Sequence, residues 1–474
     1  MKWTSAYVVF GFLTKAARGL IIPKLIAPAE YGLFTSLGVL LAYASYADLG
    51  VKYQLGKTLP YELAQEGEPA YRKLAGQGAT WTLGTASLVA LAVFAASFFQ
   101  HGEHAWFYAP ALRITALIIL ANRLREFLTI TLVSHEEFRW AVSGHMIADS
   151  VSLVLTVGLL YFVGLIGAVW ALFMSEAAGT VYVVVKSRIR PQTLRGAGMS
   201  RRMRESFLLL GVALLDATMN NVDQLFLLKF FPKQQYGIYS LGLAFQAMML
   251  AIVTVLISNL QPRVMGLVGE GRRSEANALI NSSLTLFVLL AVLALTLLVP
   301  AMAVVVRFYL PKYASGIPTF VILIGFALMR GPAVLLRPFY LAQNQEKRLL
   351  GYQVLALATA ALMDTIVILR GGGLTSIAVA SFLGYGAVSC LMLVHFERTS
   401  DHGVSLGKYV MMGFGAAVVA ATCLGFRSHV FPEHFLPYLR QAAGIGMVSL
   451  LLVSLVAIAM RRQIQHAARQ LFSH

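Results

Sequence analysis

About fourteen apolar stretches, each long enough to cross a bilayer, follow one another along this chain of 474 residues. No other feature restricts its fold as strongly. A helix needs ~20 residues to traverse the hydrocarbon core. In that medium every backbone N–H and C=O must be satisfied within the protein, which at these span lengths means helices. The stretches lie near 5–27, 31–55, 77–100, 108–133, 140–162 and 164–186, then near 206–230, 236–260, 277–299, 317–342, 349–369 and 374–396. Two more follow near 408–426 and 438–460. The composition agrees, with 58% hydrophobic and 12% charged residues. A soluble domain is roughly half apolar and a quarter charged. The expected fold class is therefore an all-α integral membrane protein of about fourteen transmembrane helices.

The net charge of +17 would suggest nucleic acid as a partner in a soluble protein. Here the basic residues gather on one side of the spans instead. With the N-terminus inside, 22 of the 38 lysines and arginines fall in cytoplasmic segments and 8 outside. That bias places both termini in the cytoplasm and excludes nucleic acid as the reason for the charge. The longest polar run, 186–204, holds seven basic residues and no acid. It joins the sixth span to the seventh, so the domains expected are a six-helix lobe over 1–186, a basic cytoplasmic connector over 187–205, a second six-helix lobe over 206–396, and two additional helices with a cytoplasmic tail over 397–474. Gly196 and Gly198 should let the connector flex. Cys390 and Cys423 sit in apolar runs and read as small hydrophobes rather than a disulfide. The N-terminus reads as a retained span, because basic residues interrupt it and no small-residue cleavage site closes a short apolar core.

The two lobes resemble each other. Tyr31-Gly32-Leu33-Phe34 matches Tyr236-Gly237-Ile238-Tyr239 at an offset of 205, and the same offset pairs Lys24 with Lys229. Glu66-Gly67-Glu68 echoes Glu270-Gly271-Arg272 at an offset of 204. Six spans per unit gives both units the same orientation, as in transporters built from parallel repeats.

Eight basic residues lie within spans. A charge at membrane depth costs at least ~2.5–3.5 kcal/mol and normally faces a partner or a wet cavity. Lys15 and Arg18 share a face of the first span. Their repeat equivalents are Asn220 and Asp223, which with Asp216 form one polar stripe on the seventh span. Arg123 and Arg125 with Glu126 on the fourth span correspond to Arg330 and Arg337 on the tenth, where Pro332 and Pro338 should kink the helix. Lys15, Arg18, Arg123, Arg330 and Arg337 are the candidate substrate-binding residues, guanidinium being suited to phosphate. Asp216, Asn220, Asp223 and Asp48 are the candidates for ion coupling or gating. Each has a plainer reading. Asp48 and Lys52 can neutralise each other at i, i+4, as can Glu126 and a neighbouring arginine. His145 and Asp149 should form a buried hydrogen bond. Glu176 and Asp364 are lone acids suited either to coupling or to interhelical bonds. The basic and acidic stripes together suit either a gate or a structural bridge. No catalytic constellation, P-loop or HExxH spacing is present, so neither enzyme activity, a cofactor nor a metal is expected.

The run Ile26-Ala27-Pro28-Ala29-Glu30-Tyr31-Gly32-Leu33-Phe34, followed by Tyr46-Ala47-Asp48-Leu49-Gly50, resembles the start of bacterial polysaccharide flippases. These are the O-antigen and capsule lipid-linked oligosaccharide translocases of the multidrug/oligosaccharidyl-lipid/polysaccharide exporter superfamily. Asn221-Val222-Asp223-Gln224-Leu225-Phe226-Leu227-Leu228 and Tyr236-Gly237-Ile238-Tyr239-Ser240 are similar to that family's seventh and eighth spans. The resemblance implies two six-helix lobes working by alternating access in the bacterial inner membrane. It also implies a cationic cavity for an undecaprenyl-pyrophosphate-linked oligosaccharide, with glycosyltransferases and a polysaccharide polymerase as neighbours in the pathway. Alternatives are a lipid II flippase, a cation-coupled multidrug exporter of the same superfamily, and a non-transporting scaffold of a glycan-assembly complex. The basic residues within spans argue against the exporter.

Overall fold

The computed structural model describes residues 2–193, 197–343 and 345–399, with a few positions between 409 and 417. Over these the chain is helical and contains no strand. In order the helices are α1 (Lys2–Leu25), α2 (Pro28–Ala44), α3 (Val51–Glu66), α4 (Glu68–Ala96), α5 (Ala105–Ser134), α6 (Phe138–Val163) and α7 (Leu165–Ser187). Then come α8 (Ala197–Phe230), α9 (Lys233–Gly269), α10 (Arg273–Phe308), α11 (Ile317–Ala342), α12 (Glu346–Leu369) and α13 (Leu374–Thr399). Seven described segments are long and apolar enough to cross a membrane by length and composition alone, among them Glu68–Phe99, Arg273–Phe308 and Pro311–Ala342. The thirteenth and fourteenth expected spans lie, apart from those few positions, outside the described residues.

The second span is the main departure from expectation. It is two helices, α2 and α3, separated by a turn over 45–50. Leu49 (φ 54°) and Gly50 (φ 81°) are both left-handed there, which ends a helix and costs a leucine about 1–2 kcal/mol. The surroundings hold the turn in place. Asp48 Oδ1 accepts from Gly50 N at 3.1 Å, Trp81 Nε1 donates to the Asp48 carbonyl at 3.2 Å, and Arg123 Nη1 donates to the Ser45 carbonyl. Asp48 sits in the break and so does not share a helix with Lys52, but the two still act on each other's charge as expected.

By packing, the chain divides into two compact units, Met1–Ile26 with Glu30–Asn221 and Ala27–Ala29 with Val222–His474. The division falls within α8 rather than in the connector. The second half of the expected connector is itself helical, since α8 begins at Ala197 and contains Gly198. Its first half lies on α4. Gln192 N donates to the Gly76 carbonyl at 3.1 Å, and Thr80 Oγ1 donates to the Gln192 carbonyl at 2.7 Å. A Cβ at Gly76 would meet the Arg190 carbonyl at 2.6 Å, so only glycine admits this approach.

Within the first unit α4 packs on α5, α5 and α6 pack on α7, and α1 packs on α6. Within the second, α10 packs on α11, and α11 and α12 pack on α13. The order α4–α7 is therefore reproduced by α10–α13, as the repeat requires. The matching loop glycines Gly67 (φ 80°) and Gly271 (φ 79°) share a positive φ. The repeat is not exact, for α9 runs unbroken where the first unit has α2, a turn and α3.

Candidate functional site

In the first unit, α1 lays its basic pair beside α6. Arg18 Nη1 donates to Ser152 Oγ, one turn from Asp149. Lys15, Arg18 and Arg125 are the cations that act on Asp149. Its Oδ2 is buried and accepts no hydrogen bond among the described residues. The partners of Arg18 thus lie on α6, with further electrostatic contributions from Tyr31 and Glu176.

Behind this pair, Arg125 of α5 ties three helices together. Its Nε donates to Glu176 Oε2 of α7 at 2.9 Å, and its Nη2 lies 3.5 Å from Glu126 Oε1. Its Nη1 donates to His145 Nδ1 of α6. Guanidinium cannot accept, so this bond places the imidazole proton on Nε2. Asn122 Nδ2 adds a bond to Glu176 Oε2 at 3.0 Å. The bond expected from His145 to Asp149 is therefore made to Arg125. Of the two roles open to Glu176, the structure displays interhelical bonding, and Glu126 is neutralised by its neighbour as anticipated. Arg123 is buried with both terminal nitrogens engaged, Nη1 on the Ser45 carbonyl and Nη2 on Asn122 Oδ1. It holds the α2–α3 turn.

The second unit buries acids instead. Asp223 of α8 accepts from Tyr239 of α9 at 2.5 Å through Oδ2, and from its neighbour's backbone, Gln224 N, at 2.8 Å through Oδ1. Tyr236 donates to Gln224 Oε1 at 3.1 Å. The Tyr236-Gly237-Ile238-Tyr239 motif that marked the repeat is thus what positions the end of α8. Asp364 of α12 is fully buried, and neither carboxylate oxygen has a hydrogen-bond partner among the described residues. Asp223 and Asp364 act electrostatically on each other, and Arg330 of α11 acts on Asp223. Gln353, eleven residues before Asp364 and so on the same face of α12, is buried with both amide atoms unpartnered among the described residues. Asp216 and Asn220 share the α8 face with Asp223 and are half-buried, as are Arg330 and Arg337 on α11. α11 runs through both Pro332 and Pro338.

Two groups of residues therefore come together: Lys15, Arg18, Asp149 and Ser152 in the first unit, and Asp223, Tyr239, Asp364 and Arg330 in the second. The residues missing from the sequence-derived set are Ser152, Asn122 and Tyr239. Only Tyr239 carried a signal, being part of the repeat motif. The first group offers cations and one unpartnered acceptor at membrane depth. The second offers two carboxylates with vacant lone pairs, the donor set a hard cation or a proton requires.

Known structures share the fold. The chain resembles a structure titled lipid II flippase MurJ in an inward closed conformation, with a TM-score of 0.70 and 13% identity over 98% of each chain. An inward-facing multidrug resistance MATE family transporter of the MOP superfamily matches with a TM-score of 0.64 and 11% identity, over 88% of this chain and 96% of that one. A MOP superfamily transporter from Pyrococcus furiosus matches at 0.61 and 14% identity, over 83% and 94%. No curated protein matches the chain. The family model described as "Polysaccharide biosynthesis protein" matches residues 21–268, more than half of the sequence. The chain is a multi-pass membrane protein that belongs to the polysaccharide biosynthesis protein family.

Proposed function

We propose that this protein is a flippase that moves an undecaprenyl-pyrophosphate-linked oligosaccharide from the cytoplasmic to the periplasmic leaflet of a bacterial inner membrane. The observation that carries the reading is the Lys15–Arg18 pair of α1, beside Asp149, whose Oδ2 accepts no hydrogen bond among the described residues, in a chain of the polysaccharide biosynthesis protein family. A pyrophosphate is the kind of anion that such cations bind through charge-assisted hydrogen bonds. Lys15 and Arg18 receive it first, with Arg330 and Arg337 as further cationic positions on α11. Arg123 holds the α2–α3 turn and is not assigned to substrate.

The buried acids of the second unit supply the coupling. Asp223 and Asp364 bind a proton or sodium ion, and Asp216 and Asn220 extend the polar face along which the cation reaches them. Asp48 serves the turn. Both termini lie in the cytoplasm in this reading, as the lysine and arginine bias requires.

The test is transport by proteoliposomes loaded with fluorescent lipid-linked oligosaccharide, with and without an imposed cation gradient. Arg18→Ala should abolish translocation while the protein still purifies as a folded species; unchanged translocation, or unchanged surface glycan in cells, would refute the assignment. The likeness to a lipid II flippase over 98% of the chain supports a second reading, in which the cargo is lipid II. Translocation of lipid II in preference to the oligosaccharide lipid would establish that reading instead.

A further inference from the structure

A polar cavity lies in the first unit, apart from the residues assigned to transport. It has a volume of about 330 Å³ and is lined by the starts of α4 and α6, the end of α5, and the chain leaving α7. That size is at the lower end of the range for small-ligand sites, about 300–1,000 Å³.

The charges around it sort into two sets. Glu68 is internally satisfied, with Oε1 at 2.5 Å from Arg72 Nε and Oε2 at 2.9 Å from His135 Nε2. The other three charged lining residues, Glu137, Lys186 and Arg188, have no ion pair among the described residues. Lys186 is held in place all the same, since its Nζ sits 4.2 Å from the Trp140 ring centroid and 5.9 Å from that of Tyr182. Two cations and one anion thus line a single polar cavity with no ion pair of their own among the described residues.

The cavity also sits where a headgroup would. It opens at the start of α6 and the end of α7, whose Trp140 and Tyr182 are the residue types of an aromatic belt. Below it the outer face of α7 is apolar and open, with Val181 and Val185 both more than 60% exposed. Apolar tails gain little from such a face relative to bulk lipid, so selection must come from the polar end. We infer that this cavity binds the headgroup of a zwitterionic phosphoethanolamine lipid, its phosphate on Lys186 and Arg188 and its ammonium on Glu137, with the acyl chains along α7.

The inference can be tested apart from transport. Purified protein is equilibrated with equal phosphatidylethanolamine and phosphatidylglycerol, and the lipid retained is counted by native mass spectrometry. The wild type should retain phosphatidylethanolamine in excess. Glu137→Gln should bring the ratio down roughly tenfold, the worth of one charge-assisted bond, and Glu137→Asp should restore most of it. Lys186→Gln with Arg188→Gln should reduce retention of both lipids. Thermal melting identifies any variant that fails to fold, and Lys186→Arg with Arg188→Lys then carries the test by retaining both lipids. A preference for phosphatidylglycerol in the wild type, or a ratio insensitive to Glu137→Gln, would overturn the inference.

Discussion

Asp364→Asn is the most informative single change in the second unit. Asp364 is fully buried, both oxygens lack hydrogen-bond partners among the described residues, and it faces the negative charge of Asp223. Each unsatisfied buried acceptor costs about 1–3 kcal/mol, and like charges nearby add to that. Asparagine keeps the shape, removes the charge and turns one acceptor into a donor that can reach toward Asp223. In the absence of a cation, the substitution should therefore stabilise the protein by about 2 kcal/mol. At about 2–4 °C per kcal/mol for a unit of this size, the melting temperature should rise by roughly 4–8 °C. The free thiol of Cys390 on α13 is only partly exposed, so a thiol-reactive dye reports melting of the second unit directly. Sodium or acid should stabilise the wild type by about 2.7 kcal/mol at a hundredfold excess over Kd, and so raise its melting temperature. Neither should raise that of the variant, which should also fail to couple transport to a gradient. A variant that melts below the wild type in cation-free alkaline buffer would refute the argument. So would an equal cation response in both proteins.

Three further outcomes follow from the first unit. Glu176→Gln leaves Arg125 facing a neutral amide and should lower the stability of that unit by about 2–3 kcal/mol, less than the full loss of a buried pair because His145 and Glu126 still engage Arg125; thermal melting followed by tryptophan fluorescence checks it. Arg123→Lys keeps the charge but loses the fork that spans Ser45 and Asn122, and should cost about 1–3 kcal/mol and speed hydrogen exchange over 45–51. Gly76→Val should lift residues 190–193 off α4, read as new protease sensitivity after Arg190, with the helices themselves still protected.

Much of the architecture was legible because a bilayer allows few solutions. The boundaries expected for the tenth span, 317–342, coincide with α11, and the repeat announced itself in two tyrosine-glycine motifs and one loop. The break in the second span was hidden because Ser45–Gly50 is mostly apolar and reads as continuous helix. Its one local sign was Asp48 two residues before Gly50, the spacing of a side chain that closes a turn on its own backbone. The site was legible in kind but not in pairing. Stripes on one helix follow from spacing, so Lys15 with Arg18 and Asp216 with Asp223 could be read directly. Which helix each stripe faces is a property of packing, so Ser152 for Arg18, Tyr239 for Asp223, and the meeting of Asp223 with Asp364 required coordinates.

The imperfection of the repeat explains why equivalent arginines have different work. Arg123 and Arg330 lie on α5 and α11, the helices that pair with α7 and α13 in their own units. In the first unit the second span is broken, which frees the Ser45 carbonyl, and Arg123 is drawn to it because an unmet carbonyl at membrane depth is costly. In the second unit α9 continues through the equivalent position, so no carbonyl is freed there. The guanidinium of Arg330 instead lends its field to Asp223. A positive charge beside a carboxylate weakens that carboxylate's hold on a cation while it stays, and strengthens it when drawn away. An anionic cargo that draws Arg330 toward itself would therefore raise the affinity of Asp223 and Asp364 for their cation. By thermodynamic reciprocity the bound cation would raise the affinity for the cargo by the same factor. In the proposed mechanism the break in α2–α3 reserves one arginine of the pair for structure and leaves the other to link cargo to ion.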